Sequence, residues 1–419
     1  MNAPIPTNTE QALCRACSTP LEHTFVDLGK SPPCEAFLRA DQLEQGEIFY
    51  PLHALVCSEC FLVQLKDYVD ADSIFDDYAY FSSFSDSWLE HARQYCADMT
   101  ERFGLTRDSF CVEVASNDGY LLQNFVRAKI RCLGIEPSWT VAEAALEVGV
   151  PSMQQFFSRE TARAVREEHG RADLMTANNV VAHVPDINDF VGGFQELLAP
   201  EGVVTLEFPH LARLMDQVQY DTIYHEHFSY LSFGVLSGIL KNQGLTVFDV
   251  QELKTHGGSL RVFAQLNDSG TQEINKSVKA LLKEEKRLGF KELRTYLKFT
   301  ELVERSKRET LKFLIQAKEE EKNVVAYGAP GKGNTLLNYC GVRSDLIEFA
   351  VDRNPYKHGR FTPGTQIPIF PPEALEEARP DYIFILPWNL EREIRKQLAY
   401  VRDWGAKFVI PIPEIQILG

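Results

Sequence analysis

The chain has no run of apolar residues long enough to span a bilayer, which argues against membrane insertion. Positive charge is also scarce. The 43 Lys and Arg set against 59 Asp and Glu leave a net charge of −16, and no local basic patch offsets it. Such a surface repels phosphate backbones, so nucleic acid is not expected as a partner. The opening segment MNAPIPTNTEQAL has neither the basic start nor the apolar centre of a secretion signal. A cytoplasmic, reducing location is therefore expected, where disulfides do not persist. Low-complexity tracts and short repeats are missing as well. What is there, 419 residues with 44% hydrophobic and 24% charged composition, suits a soluble protein of two to four domains, three on the reading below.

Nine cysteines are present, and four of them stand in paired spacing: Cys14 and Cys17, then Cys57 and Cys60 after an interval of 39 residues. Each CxxC forms a knuckle that can aim two thiolates at one ion, and four sulfurs suit structural tetrahedral Zn²⁺ with no position left for water. A pair of redox-active dithiols is the competing reading, but it lacks a thioredoxin-like context. Cys34, Cys96, Cys111, Cys132 and Cys340 are scattered in mostly apolar surroundings and read as small buried residues. Residues 1–75 are short apolar segments broken by Pro and Gly, too little for a core of their own, so the metal is expected to stabilise them.

Beyond them the periodicity alternates. A helix over 85–104 precedes the apolar strand at 110–115, followed by helix 119–128, strand 130–135, helices 139–147 and 158–168, strand 172–177, helix 188–198 and strand 202–208. Strands alternating with helices imply an α/β fold with a doubly wound, Rossmann-like sheet, here assigned to 76–271. From 272 to 322 the composition is highly charged with leucines at helical spacing, as in connecting helices. A second alternating unit opens at Asn323 and has strands near 347–351, 382–386 and 407–410, so residues 272–419 are read as connecting helices plus a second Rossmann-like domain.

The first glycine turn, Glu113 to Gly119, lacks the GxGxxG that seats a dinucleotide pyrophosphate. It carries Ser116, Asn117 and Asp118 instead, and Glu136 ends the next strand where an adenosine ribose would offer two hydroxyls. Acids at both places suit S-adenosylmethionine, whose sulfonium and amino groups are cationic. The plainer alternative makes Asp118 a helix cap and Glu136 a surface acid. Asn178, Asn179 and His183 follow the fourth strand and would line the same pocket.

Tyr224, His225, Glu226, His227 and Tyr230 crowd two imidazoles, a carboxylate and two phenols into seven residues. HExH is one residue short of the zinc-peptidase HExxH, and on a helix its two imidazoles would point about 200° apart, which argues against a catalytic metal. An extended or turning segment would put His225 and His227 on one side, with an imidazole free to act as base on a carbon acid. Near the middle, the HGGSLR run from His256 to Arg261 either seats a phosphate or makes a hairpin. In the second unit, the glycine loop with Lys332, Gly333, Asn334 and Thr335 offers backbone N–H groups and a cation to a phosphate, yet fails the Walker pattern because Gly333 follows the lysine. Asp352, Lys357 and Arg360 lie one loop away, and together the two segments propose a diphosphate-bearing nucleotide.

With paired CxxC, SNDGYLL, GIEPS, NNVVAHVPD, TIYHEHFSYLS, HGGSLR, YGAPGKGNTLLNYCG and VDRNPYKHGRFTPGTQIPI in place, the chain resembles, over nearly its full length, the C-methyltransferases of deoxysugar biosynthesis. That group includes the enzyme that builds the C-3 methyl branch of tetronitrose-type sugars. YGAPGKG departs slightly from the Ala or Thr usual before the lysine. The resemblance implies a zinc module, a central S-adenosylmethionine domain and a C-terminal domain that helps hold a nucleotide-linked 4-keto-6-deoxyhexose. It also implies active-site roles for Tyr78, His183, Tyr224, Glu226 and His227. On this reading His227 is the base, Tyr224 the second choice, Glu226 orients the pair, and His183 or Tyr78 holds the enolate oxygen; the protein is expected to act as a monomer. The rival expectations are an NAD-dependent nucleotide-sugar oxidoreductase, disfavoured by the missing GxGxxG, and a zinc-containing adaptor that binds nucleotide sugars without chemistry.

Overall fold

The computed structural model describes residues 12–68, 82–84 and 86–419. Three sheets organise these residues. The N-terminal module contributes β1 (His23–Ser31), β2 (Tyr50–Val56) and β3 (Val63–Leu65), all antiparallel. The central domain is built on β4 (Phe110–Val114), β5 (Arg131–Ile135), β6 (Ser152–Met153), β7 (Ala172–Asn178) and β8 (Leu198–Pro209), which are parallel, with one further strand, β9 (Ser229–Tyr230), leaving for the first sheet. The antiparallel hairpin β10 (Leu245–Leu253) and β11 (Ser259–Leu266) completes the order β10-β11-β8-β7-β4-β5-β6. The C-terminal domain holds β12 (Val324–Tyr327), β13 (Ala350–Val351), β14 (Ile369–Phe370), β15 (Tyr382–Ile385), β16 (Lys407–Ile410) and β17 (Gln416–Leu418), in the order β14-β13-β12-β15-β16-β17 with only β17 antiparallel.

Both Rossmann-like sheets follow from continuous apolar strands covered on both faces. All five residues of β4 are buried, and so are all four of β12. The expected helices are present at Asp86–Phe103, Trp139–Glu147, Arg159–His169 and Ile187–Leu197, and the expected helix 119–128 begins later, at Leu122. The hairpin β10–β11 settles the two readings of HGGSLR in favour of the turn. Arg261 is buried and paired with Glu207 at 3.0 Å, which removes it as a phosphate ligand.

The connecting helices bury only part of the leucine stripe. In Lys276–Arg287 the buried residues are Val278, Leu281 and Glu285, while Leu282 and Leu288 are exposed. In Phe299–Glu319 they include Phe299, Val303, Thr310 and Leu314, with Leu302 exposed. The partner of that second helix is the zinc module: Phe299 stacks on Phe25 of β1 at 4.6 Å. One continuous apolar core joins Phe25, Val26, Ala54 and Val63 to Val324, Ala326, Ile383 and Phe408. The N-terminal module thus borrows its core from the C-terminal domain, whereas the chain alone suggested the metal as its main support.

The metal site itself is compact. The sulfurs of Cys14, Cys17, Cys57 and Cys60 all lie within 4.8 Å of one another, with Cys14 to Cys60 and Cys17 to Cys57 both 3.5 Å apart. Tetrahedral Zn–S bonds of about 2.3 Å place sulfurs about 3.8 Å apart, so the four positions fit Zn²⁺. Gln64 donates an N–H to the Cys14 sulfur at 3.2 Å, the kind of outer contact that orients a ligand. The other five cysteines are buried.

The module is fastened to the central domain by two devices. First, β3 pairs antiparallel with β9, Val63 opposite Tyr230 and Gln64 opposite Ser229, so the segment leaving the 224–228 cluster is the fourth strand of the zinc sheet. Second, Arg15, inside the first CxxC, donates to the carbonyls of Leu65 at 2.7 Å and Pro185 at 2.6 Å and lies over the Phe228 ring at 5.3 Å. Its own carbonyl accepts from Asn188 at 3.0 Å. Stripping the zinc with a strong chelator is therefore expected to lower the melting temperature by roughly 10 °C or more, because unpartnered thiolates repel and release both fasteners. Metal analysis should find one zinc per chain beforehand, and an unchanged melting curve after its removal would refute the structural role.

Candidate active site

The cofactor turn begins with an oddity in β4. Glu113 sits in the middle of a fully buried strand, and neither of its oxygens has a well-formed hydrogen bond, although the Tyr120 phenol lies beside it. Burial pushes its carboxyl well above the usual range. After β4 the backbone adopts left-handed conformations at Ala115, Asn117 and Gly119 (φ 52°, 49° and 76°), a concentration of strain that favours a functional turn. Gly134 must be glycine, since a Cβ there would stand 2.2 Å from the Ser116 hydroxyl.

Glu136 organises this turn. One oxygen accepts from Asn117 N and the other from Ser138 N, both at 2.9 Å. An ionised carboxylate has about four acceptor positions, so two stay open for ribose hydroxyls. The Asn117 amide oxygen accepts from Ser82 N at 2.9 Å and Asp118 Oδ2 from Ser83 N at 3.0 Å. Buried polar atoms without partners cluster around them: Ser116 Oγ, Asp118 Oδ1, Ser138 Oγ and, at the end of β7, Asn179 Oδ1. Asn179 also holds a left-handed φ of 56°. Buried polar groups are normally paired, and this set, rich in acceptors, fits the amino, sulfonium and ribose groups of S-adenosylmethionine. Asn178 instead accepts internally from Thr176 at 3.3 Å. Trp139, three residues past Glu136, is exposed and was not singled out from the chain; an apolar ring next to a ribose acid was the available signal.

The histidine block folds as a turn. His227 N donates to Tyr224 O at 2.9 Å, which brings Tyr224 and His227 together with ring centres 4.0 Å apart, and His183 meets His227 edge-on at 4.6 Å. His225 turns away, its Nε2 facing Pro51 O at 3.3 Å and its ring edge-on to Tyr50 of the zinc sheet. The expectation that His225 and His227 share a side fails for that reason: the segment closes an i to i+3 hydrogen bond where an extended chain would alternate.

The proton positions follow from the partners. Thr222 O lies 2.9 Å from His227 Nδ1, and a carbonyl only accepts, so Nδ1 carries the hydrogen and Nε2 keeps its lone pair. Burial is the main reason that His227 is held well below the ordinary imidazole range, reinforced by His183, His256 and Lys332. His183 is pushed down to about 4 by burial, and its Nδ1 is buried without a partner. The Glu226 carboxyl is pushed up to about 7 by burial and by neighbouring Glu35, with the Cys34 thiol donating to it at 3.7 Å. Tyr78 lies outside the described residues.

The glycine loop of the C-terminal domain meets a carboxylate of the protein itself. Glu35 from the zinc module lies against Gly331, and Lys357 pairs with Glu35 at 3.4 Å while also donating to Ala329 O at 2.8 Å. Asn334 donates to Cys34 O at 2.6 Å, and Thr335 to Ile223 O at 3.2 Å; both side chains are buried. Gly333 packs against Leu386, Asp352 accepts from Ala329 N at 2.7 Å, and Arg360 donates to Tyr356 O at 2.9 Å. These residues thus bind the loops to one another and to the zinc module, a use the glycine-loop reading did not anticipate. Lys332 alone leaves the loop and enters the cleft, its Nζ 4.9 Å from the Trp388 ring centre and 2.5 Å from Asn389 Oδ1.

Two groups went unnoticed in the chain. Asp221 is fully buried, accepts from Trp388 Nε1 at 2.6 Å, and is pushed up to about 6 by burial. Glu207, at the end of β8, binds His91 at 3.1 Å and Arg261. Its position in an otherwise apolar strand was a usable signal. His256 (φ 52°) faces Trp88 edge-on at 5.3 Å, and Trp88 stacks on His91.

Comparison with known proteins agrees with this layout. The profile of a candidate zinc binding domain matches residues 14–75, that of a methyltransferase domain residues 88–250, and that of a C-methyltransferase C-terminal domain residues 254–413. The C-methyltransferase NovU of Streptomyces niveus is 35% identical over 406 residues, 97% of this chain and 96% of NovU. Among solved structures, an S-adenosylmethionine-dependent methyltransferase from Anabaena variabilis matches with 12% identity and a TM-score of 0.37, covering 48% of this chain and 98% of that one. The 1,6-didemethyltoxoflavin-N1-methyltransferase of Burkholderia thailandensis matches with 16% identity and a TM-score of 0.36, covering 49% and 95%. Among the described residues no helix is long and apolar enough to cross a membrane. On its near full-length match to NovU, the chain belongs to the S-adenosylmethionine-dependent C-methyltransferases with a zinc-binding N-terminal domain and a distinct C-terminal domain.

Proposed function

We propose that this enzyme methylates C-3 of a nucleotide-linked 4-keto-6-deoxyhexose. The observation that carries the reading is the His227 imidazole, locked with its hydrogen on Nδ1 and its Nε2 lone pair available, beside Tyr224 and His183. A sugar C–H is too weak an acid for imidazole unless a ketone adjoins it, and a C-4 ketone acidifies its neighbours. His227 Nε2 takes the C-3 proton, and the bond's electron pair passes to the C-4 oxygen. S-adenosylmethionine supplies the electrophile, its sulfonium methyl, and leaves as S-adenosylhomocysteine once the S–CH₃ bond has given way to C–CH₃. The Tyr224 phenol serves the enolate oxygen, a contact of about 3 kcal/mol by the measure of an oxyanion-hole donor. Glu226, next in the chain to His227 and with its carboxyl pushed up to about 7 by burial, orients the pair.

The nucleotide arm has room nearby. A groove of about 500 Å³ is lined by Arg213, Glu252, Lys254, Gly257, Gly258 and Trp388; Arg213 is paired there with Glu252 at 2.7 Å, which leaves Lys254 and the indole as its groups for a nucleotide. The family's carbon specificity supports carbon over oxygen as nucleophile.

Mass spectrometry after presenting a panel of 4-keto nucleotide sugars should show a gain of one methyl. In deuterated buffer the product should carry no hydrogen at the methylated carbon, and NMR should place the methyl at C-3; a methyl at C-5, the other carbon flanking the ketone, or on oxygen overturns the assignment. His227→Asn should lower kcat by about 10²- to 10⁴-fold, with S-adenosylmethionine affinity by calorimetry unchanged. Near-normal turnover in that variant sinks the base assignment. Because burial depresses the His227 pKa, the imidazole stays neutral until the pH falls well below its ordinary 6.5. The acidic limb of kcat/KM should accordingly lie below 6.5, and a His227-dependent limb above that value would contradict the buried, neutral imidazole.

A further inference from the structure

The turn that offers Thr222 O to His227 is fastened by its neighbours one residue after another. Gln219 donates through its side chain to Gly257 O at 2.8 Å, the Tyr220 phenol meets Cys340 Sγ at 3.8 Å, and Ile223 O accepts from Thr335 at 3.2 Å. Asp221, in the middle of the 3-10 turn Tyr220–Thr222, is fully buried, with Oδ2 held by the Trp388 indole N–H at 2.6 Å. The Thr222 hydroxyl bonds inside the turn, to Gln219 O at 2.8 Å, and its carbonyl lies 2.9 Å from His227 Nδ1. Trp388 comes from the C-terminal domain, at the start of the short turn Trp388–Leu390 that follows β15. Its ring also covers the β10–β11 hairpin: at Gly257, φ 85°, a Cβ would stand 2.8 Å from Trp388 Cη2. One indole therefore touches both the hairpin turn and the turn that holds the base.

We propose that Asp221 is a positioning residue of the methyl transfer: tied to the Trp388 indole, it aims the Thr222 carbonyl at His227 Nδ1 and so keeps the imidazole lone pair on Nε2. This rests on His227 being the base. A carboxylate is costly to bury, and an apolar side chain would fill the same space with less loss of hydration. What the carboxylate adds is direction. The indole offers a single N–H along one line, so the bond to it fixes the Asp221 backbone and, through the next peptide, the heading of the Thr222 carbonyl. That carbonyl decides the chemistry, because the tautomer of a neutral imidazole follows the hydrogen bond made by one of its nitrogens. If it swung away, part of the His227 population would carry its hydrogen on Nε2 and could not accept the C-3 proton there. The C-terminal domain thus reaches the reacting centre through one side chain, in addition to lining the groove.

The test compares Asp221→Leu, Asp221→Asn and Trp388→Phe in the full chain, with melting temperature and S-adenosylmethionine affinity as controls for folding. Two readouts are taken: kcat and KM with the 4-keto nucleotide sugar that the panel shows to be methylated, and the ring-nitrogen NMR shifts of His227. Those shifts separate the two tautomers and are assigned by their absence from His227→Asn. Asp221→Leu should lower kcat by about 10- to 100-fold with KM within about threefold of the parent, and move His227 toward the tautomer with its hydrogen on Nε2. Asp221→Asn keeps an oxygen for the indole and should restore the parent tautomer and most of the rate. Trp388→Phe keeps a ring and loses the N–H, so it should reproduce the fall in kcat and the tautomer change, which keeps the inference testable if the leucine variant does not fold. The double variant should be little worse than either single one. Parent tautomer and kcat in Asp221→Leu and Trp388→Phe would reduce the bond to a structural tie and overturn the inference. A KM raised about tenfold or more with kcat unchanged would overturn it too, by making the pair a substrate-binding element. A tautomer that shifts in Asp221→Leu while His227→Asn keeps near-normal turnover would instead sink the base assignment.

Discussion

Four thiolates held within 4.8 Å form a cluster that no protein sustains without a cation, and most of the cleft depends on that cluster. The knuckle around Cys14 fixes Arg15, and Arg15 reaches the loop that follows His183 and the ring of Phe228, which adjoins His227. The knuckle around Cys57 turns the chain into β3, whose pairing with β9 sets where the Tyr224–His227 turn must end. One ion thus controls both imidazoles from opposite sides without taking part in the reaction. A site on loops needs such external support, because loop backbone has few hydrogen bonds of its own to hold it.

The same economy appears in the two Rossmann-like units. In each, the acid that ends the second strand closes onto the turn that follows the first: Glu136 accepts from Asn117 N, and Asp352 accepts from Ala329 N. Their fates then diverge. Around Glu136 several buried polar atoms have no partner, and that turn has capacity for a ligand. Around Asp352, Lys357 pairs with Glu35 of the zinc module at 3.4 Å, so a cation of that loop also serves to dock the module. A glycine loop at a helix N-terminus is a ready anion site by its backbone physics, but that physics does not distinguish a phosphate from a carboxylate of the same chain.

This difference explains which features were legible in the chain. Strands β4, β7, β8 and β12 are apolar on both faces and announce themselves by composition, as do the CxxC pairs by spacing. The pairing of β3 with β9 brings together residues more than 160 positions apart and leaves no local trace. Glu35 was invisible for the same reason, its partners being Gly331 and Lys357. In the histidine block the residue types were legible and the geometry was not. Alternation would pair His225 with His227, whereas a single hydrogen bond from His227 N to Tyr224 O reverses the assignment. Whether a segment turns or extends is decided there by where its ends are anchored, at Thr222 on one side and β9 on the other.

Charge states in the cleft are likewise set by the assembly. Burial holds His227 well below the ordinary imidazole range, and burial together with Glu35 of the zinc module pushes the Glu226 carboxyl up to about 7. Taken alone, the Tyr224–Glu226–His227 turn would titrate near ordinary solution values. Each domain therefore contributes a field as well as a wall. Separating any one of them would change the protonation of residues it never touches covalently. A methyl transfer to carbon needs this more than one to oxygen or nitrogen, since its nucleophile does not exist until a base has removed a weakly acidic proton. Building the surroundings of this cluster from all three domains makes its protonation states conditional on the complete fold.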